Sequence, residues 1–164
     1  MKLLSILRHA KSSWKDSSLE DHDRPLSKRG LRDAPRMGAL IRERGLVPDT
    51  VLSSTARRAR DTALAVATEA GFPDEVRFSR RLYGADPDTY LESLRALPDT
   101  TAHVLVVGHN PGLEALLATL VGESHTLPTA ALAVVELPVE SWSELGPPPL
   151  GRLQGLWRPR ELEG

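Results

Sequence analysis

Two short apolar runs in this chain each break off at a histidine. Leu3-Leu4-Ser5-Ile6-Leu7 leads into Arg8-His9, and His103-Val104-Leu105-Val106-Val107 leads into Gly108-His109-Asn110. Runs this short and this uniformly apolar predict strands buried on both faces, as in a parallel sheet. Helical patterns alternate with them. Such alternation predicts an α/β fold, a three-layer sandwich with a mostly parallel central sheet flanked by helices. Ligands of such sheets bind beyond the carboxyl ends of the strands. Arg8-His9, Ser53-Ser54 and Gly108-His109-Asn110 are the polar clusters expected there.

The remaining elements follow from local signals. Ser27 is expected to cap a helix carrying Leu31, Ala34, Leu40 and Ile41 that ends near Gly45, with Pro35 kinking or dividing it. Thr50-Val51-Leu52 predicts a strand, and Ser54 or Thr55 the cap of an alanine-rich helix stopped by Gly71. Val76 to Phe78 is a weaker strand pattern. Asp86-Pro87 opens a further helix in cap-then-proline order, closed by Pro98. Asn110-Pro111 reads the same way, before a helix with Leu113, Leu116, Leu117 and Leu120. Ala131 to Leu137 is a strand and Leu153 to Trp157 an edge strand. Between them, Gly146-Pro147-Pro148-Pro149 reads as a rigid turn. The polar tail from about Arg158 is expected to be loose.

Composition narrows the function. The 164 residues suit one domain, 1–164. Lys and Arg number 21 against 22 Asp and Glu, so charge gives no argument for nucleic acid or membrane as a partner. The absence of cysteine excludes a thiolate nucleophile and thiolate metal ligation. None of the five histidines has the spacing that puts two ligands on one helix face, so no metal and no other cofactor is expected. The first apolar run is too short for a signal peptide or a membrane span, which makes the cytoplasm the expected location.

A lone histidine after a strand is usually a solvated loop residue, and Arg57, Arg58 and Arg60 alone would read as a helix's wet face. Together they say more. Two histidines at the ligand-binding edge, with arginines in a helix's first turn, fit a dianionic phosphoryl group. Arginine forks bind its oxygens and helix N-termini favour anions. A neutral imidazole can attack phosphorus.

Arg8-His9-Ala10-Lys11-Ser12 resembles the Arg-His-Gly signature of the histidine phosphatase superfamily, with Ala10 in place of the glycine. Ser53-Ser54-Thr55-Ala56-Arg57-Arg58-Ala59-Arg60-Asp61-Thr62 resembles its second motif, and Val107-Gly108-His109-Asn110-Pro111-Gly112 its third. Asp21-His22-Asp23-Arg24-Pro25 and Arg81-Leu82-Tyr83 resemble the short branch typified by the SixA phosphohistidine phosphatases. The resemblance implies that His9 is the nucleophile and that Arg8, Arg58 and His109 line the phosphate pocket. In that alignment Arg58, not Arg57, binds phosphate. Arg24 and Asn110 are further candidate substrate contacts, although an Asp-Arg-Pro turn is also a plausible structural salt bridge. The general acid is open: Asp86, Asp88, Asp16, Asp21 and Asp23 are the carboxylates within reach, and Asp86 reads better as a helix cap. The leading expectation is a metal-independent phosphatase acting on a phosphohistidine-bearing carrier or phosphorelay protein. A phosphatase for small phosphate esters and a non-catalytic phosphate-binding module are the alternatives.

Overall fold

A computed structural model of the chain describes residues 1–146 and 151–162. Among these residues, six strands form one sheet: β1 (Lys2–Arg8), β2 (Thr50–Ser54), β3 (Arg77–Ser79), β4 (His103–Gly108), β5 (Leu132–Leu137) and β6 (Arg152–Trp157). Their order is β3-β2-β4-β1-β5-β6. The first four in that order run parallel, and β5 and β6 pair antiparallel at the other side. Among the described residues, four α-helices cover the sheet: α1 (Lys28–Glu43), α2 (Arg57–Ala70), α3 (Pro87–Arg95) and α4 (Gly112–Val121).

The two strands that end in histidine are neighbours. Leu7 faces Val107 and Arg8 faces Gly108 in the β1–β4 register. Side chains alternate across a strand, so successive residues enter different layers. Leu4, Ile6, Val104, Val106, Ala133 and Val135 join the core under α3 and α4. Leu7, Val51, Leu105, Val107, Leu132 and Val134 join the core under α1 and α2. A buried Ser5 Oγ–His103 Nε2 pair, 2.7 Å apart, ties the middle of β1 to the start of β4.

Several local expectations are modified. The α1 helix runs unbroken through Pro35. Proline removes one helical hydrogen bond, but the buried stripe of Ala34, Met37, Leu40 and Ile41 holds both halves against the sheet. Ser54 remains in β2, and Ala56 takes the capping position of α2 with no side-chain cap bond. Pro111 rather than Asn110 precedes α4, and the Asn110 side-chain NH2 donates to the Leu127 carbonyl. Asp86 caps α3 as read, accepting the Thr89 N–H at 2.8 Å. The tail forms a 3-10 turn at Pro159–Leu162, with Pro159 buried. The proline turn read at Pro147 to Pro149 lies outside the described residues. Among the described residues, no helix is long and apolar enough to cross a membrane.

The loop after β1 is fastened rather than free. Ser27 N–H donates to the Lys11 carbonyl, and Ser13 N–H to the Pro25 carbonyl, each at 2.8 Å. Gly30 permits this approach, because a Cβ there would run into the Lys11 carbonyl. The residues following His9 are thereby pressed onto the start of α1.

Candidate active site

The sheet delivers His9 directly. Its N–H donates to the Gly108 carbonyl at 3.1 Å, which carries the β1–β4 ladder one step beyond Arg8. The His9 ring is nearly buried, and Nδ1 lies 2.7 Å from the Ala10 carbonyl. A carbonyl only accepts, so Nδ1 carries the hydrogen and Nε2 keeps its lone pair in the neutral ring. Burial, followed by the charges of Arg58, Arg8 and Arg24, pushes the His9 pKa down to about 4, against the pull of the Ala10 hydrogen bond. The ring is therefore neutral at pH 7.

His109 stands at the end of β4, its ring centroid 5.1 Å from that of His9. Its Nε2 lies 2.8 Å from Ser54 Oγ, at the end of β2. Its backbone N–H donates to the buried Tyr90 hydroxyl at 3.3 Å. Burial lowers its pKa to about 3, assisted by His9 and Arg58 and opposed by Asp21. All three strand ends expected to hold polar clusters thus meet at one point.

The neighbouring arginines Arg57 and Arg58 differ in exposure. The Arg58 side chain is 9% exposed and faces the site, whereas Arg57 is 56% exposed and pairs with Asp61 one helical turn on. Arg8 Nη1 donates to the Leu127 carbonyl at 3.1 Å, and burial lowers the Arg8 pKa. Thr62 couples α2 to the loop that follows His9. Its hydroxyl donates to the Arg58 carbonyl at 2.7 Å and accepts the Ala10 N–H at 3.0 Å.

Arg24 is buried beside this group but is heavily engaged. Its Nε donates to the Ser13 carbonyl, Nη1 to Asp21 Oδ1 and Nη2 to Ser12 Oγ. The Trp14 ring stacks on its guanidinium, 3.2 Å from Cζ to the ring centroid. Both the substrate contact and the structural salt bridge considered for Arg24 are compatible with this setting, since two of its five hydrogens remain. Asn110 spends its amide on the Leu127 carbonyl at 2.8 Å, the same carbonyl that holds Arg8. It thereby props up Arg8.

Asp21 has a part that sequence reasoning did not assign. Oδ2 accepts from Tyr83 at 2.6 Å and from Arg58 at 3.0 Å, and Oδ1 accepts from Arg24 at 3.0 Å. These bonds, the tyrosine's first, hold its pKa well below the usual carboxylate range against the opposing effect of burial. Thr62, Ser54 and Tyr90 were likewise not assigned these contacts. The only local signal was their polarity, or that of the phenol, within otherwise apolar stretches. A cavity of about 230 Å³ opens beside His109, lined by Gly84, Ala85, Pro87, Asn110 and Ala115 among others. Among the described residues, no group of three or more histidines and carboxylates could hold a metal ion.

A family model described as the histidine phosphatase superfamily, branch 1, matches residues 4–86. The chain belongs to the histidine phosphatase superfamily. Within it, this histidine phosphatase is SixA-like. The structure of the protein histidine phosphatase SixA complexed with tungstate superposes with a TM-score of 0.85 at 26% identity, covering 98% of this chain and 99% of that one. An Agrobacterium tumefaciens protein assigned to the SixA phosphohistidine phosphatases gives 0.83 at 30% identity, covering 96% and 97%. The uncharacterized protein Rv1276c of Mycobacterium tuberculosis is 37% identical over 152 residues, 86% of this chain and 92% of that protein. Membership of this superfamily supports a phosphatase, and so a hydrolase.

Proposed function

We propose that this SixA-like phosphatase hydrolyses phosphohistidine on a carrier or phosphorelay protein, without a metal, through a phosphohistidine intermediate on its own His9. His9 Nε2 attacks phosphorus with its lone pair, and the bond from phosphorus to the substrate's ring nitrogen breaks. The departing imidazole keeps that electron pair and takes a proton from solvent at its other nitrogen, so it leaves neutral. Arg8, Arg58 and His109 meet the charge on the phosphoryl oxygens, in place of a cation. Water then attacks the phosphorylated His9, releasing phosphate and the free imidazole.

The observation that carries the substrate class is the state of the carboxylates. An ester substrate leaves as an alkoxide and needs a strong general acid. Asp21 is held ionised by Tyr83 and two arginines, and Asp86 is occupied capping α3 with its pKa lowered by Thr89. Asp16 accepts from Ser18 and is ionised in turn. These three are thus ill-suited as acids, and an imidazole leaving group has the least need of one. The exposed Trp14, 71% accessible and stacked on Arg24, also offers a macromolecular substrate an aromatic contact.

The test compares turnover of a phosphohistidine carrier protein with that of sugar phosphates and phosphoserine peptides, chelator present throughout. A general acid contributes about 10²–10⁴-fold, so the esters should lag by that order. Faster turnover of a sugar phosphate would favour a small-molecule phosphatase instead.

A further inference from the structure

We propose that Asp21 is the positioning residue of this site, an ionised carboxylate that sets the planes of Arg58 and Arg24 and anchors Tyr83, and that it donates no proton to the leaving group. The proposal rests on Arg58 binding the phosphoryl group, as argued above.

Asp21 is the one residue at which these three partners converge. Arg58 lies 37 positions away on α2, Tyr83 lies 62 positions away, and Arg24 follows three positions later. Arg58 is gripped at two points by the same residue: Nη1 donates to the Asp21 carbonyl at 2.7 Å and Nη2 to its carboxylate at 3.0 Å. Two contacts along one edge fix the guanidinium plane. The donors outside that grip, Nε and the second hydrogen on each Nη, remain for an anion. The turn that carries Asp21 is itself held. His22 Nε2 lies 2.9 Å from Thr55 Oγ1, and the His22 ring meets the Tyr83 ring edge-on at 4.8 Å. Tyr83 in turn packs edge-on to His109, 5.6 Å between centroids.

Arg8, Arg24 and Arg58 all bear electrostatically on His9, and Asp21 is the carboxylate bonded to two of them. Bonds from three donors favour its charged form, which is the wrong form for an acid. The same charge also competes with an incoming phosphoryl dianion for Arg58. Removing it therefore has two effects of opposite sign. Ground-state attraction for the anion rises, while the arginine loses its orientation in the transition state.

Asp21→Asn tests this through a split that misfolding would not produce. With an aryl phosphate and with a phosphohistidine carrier protein, kcat should fall about tenfold or more while KM stays level or falls. Calorimetry with tungstate should show binding as tight as wild type or tighter. The chain has two tyrosines, so a Tyr90→Phe background isolates Tyr83, whose spectrophotometric titration should move down once the carboxylate is gone. Loss of only the alkaline limb of the pH–rate profile would make Asp21 the acid and overturn the proposal. An unchanged kcat would overturn it too. If wild type neither turns over phosphates nor binds tungstate, the phosphatase reading fails, while the Tyr83 titration still reports the Asp21 contact.

Discussion

His9 donates its Nδ1 hydrogen to the carbonyl of the next residue, Ala10, at 2.7 Å. That bond leaves Nε2 as the nitrogen with a free lone pair. It also holds the ring at a fixed angle, because Ala10 is buried and its own N–H is bound to Thr62.

The first prediction is a covalent intermediate at His9 Nε2. A phosphoramidate is labile in acid and stable in base. Rapid quench with a labelled phosphodonor, mapped under alkaline conditions, should place the label on His9. His9→Ala should abolish labelling, and His109→Gln should slow both its appearance and its decay. Label on an aspartate or serine would sink the mechanism.

Arg57 and Arg58 are adjacent but should respond differently. Arg58→Ala removes charge-assisted bonds to the phosphoryl group and should cost about 2–4 kcal/mol in kcat/KM, by analogy with lost oxyanion donors. Arg57→Ala removes only an exposed pair with Asp61 and should be nearly silent in the same assay. Equal damage from both would contradict the assignment of Arg58 alone to the phosphate.

Acid should weaken the fold in a defined window. His9 and His109 titrate near pH 4 and 3 when folded, against about 6.5 for an unfolded histidine. Above pH 6.5 neither state takes up a proton at these rings, and their neutral burial costs nothing extra. As pH falls from 6.5 towards 4, the unfolded chain binds protons that the fold refuses, so stability declines. Urea midpoints should drop between pH 7 and pH 5, with a shallower drop in the His9→Gln/His109→Gln double variant. Asp21 adds little between pH 7 and pH 5, where its carboxyl is ionised in both states. Its own contribution is lost only at lower pH, where the unfolded carboxyl, with a pKa of about 3.9, takes up a proton that the fold refuses. Identical slopes in the variant and wild type would contradict the assignment.

Chelation should be without effect. Arginines at the site can supply the positive charge that metal-dependent phosphatases draw from an ion. Activity after exhaustive treatment with EDTA should match the untreated enzyme. Recovery of a lost activity by added zinc, magnesium or manganese would reveal a metal requirement.

Much of this architecture was legible from the amino-acid order, for a physical reason. Strand and helix periodicities are local, so the apolar run before His9, the one before His109 and the alternation between them announce parallel neighbours without any knowledge of contacts. The resemblance of the second motif, not any local pattern, singled out Arg58 over Arg57, and in the fold Arg58 lies on the buried face of α2. Asp86 as a cap followed from its place before Pro87. What only the tertiary structure decided are bonds between residues far apart in the chain. Asp21 meets Arg58 and Tyr83 only after the sheet has closed and brought three loops together. Pro111 took the capping place expected of Asn110, whose NH2 found the Leu127 carbonyl, and Ser54 stayed in its strand to stand beside His109. Side-chain polarity signals that a partner is needed, but the partner's identity depends on chain closure, whose cost and geometry no local pattern records.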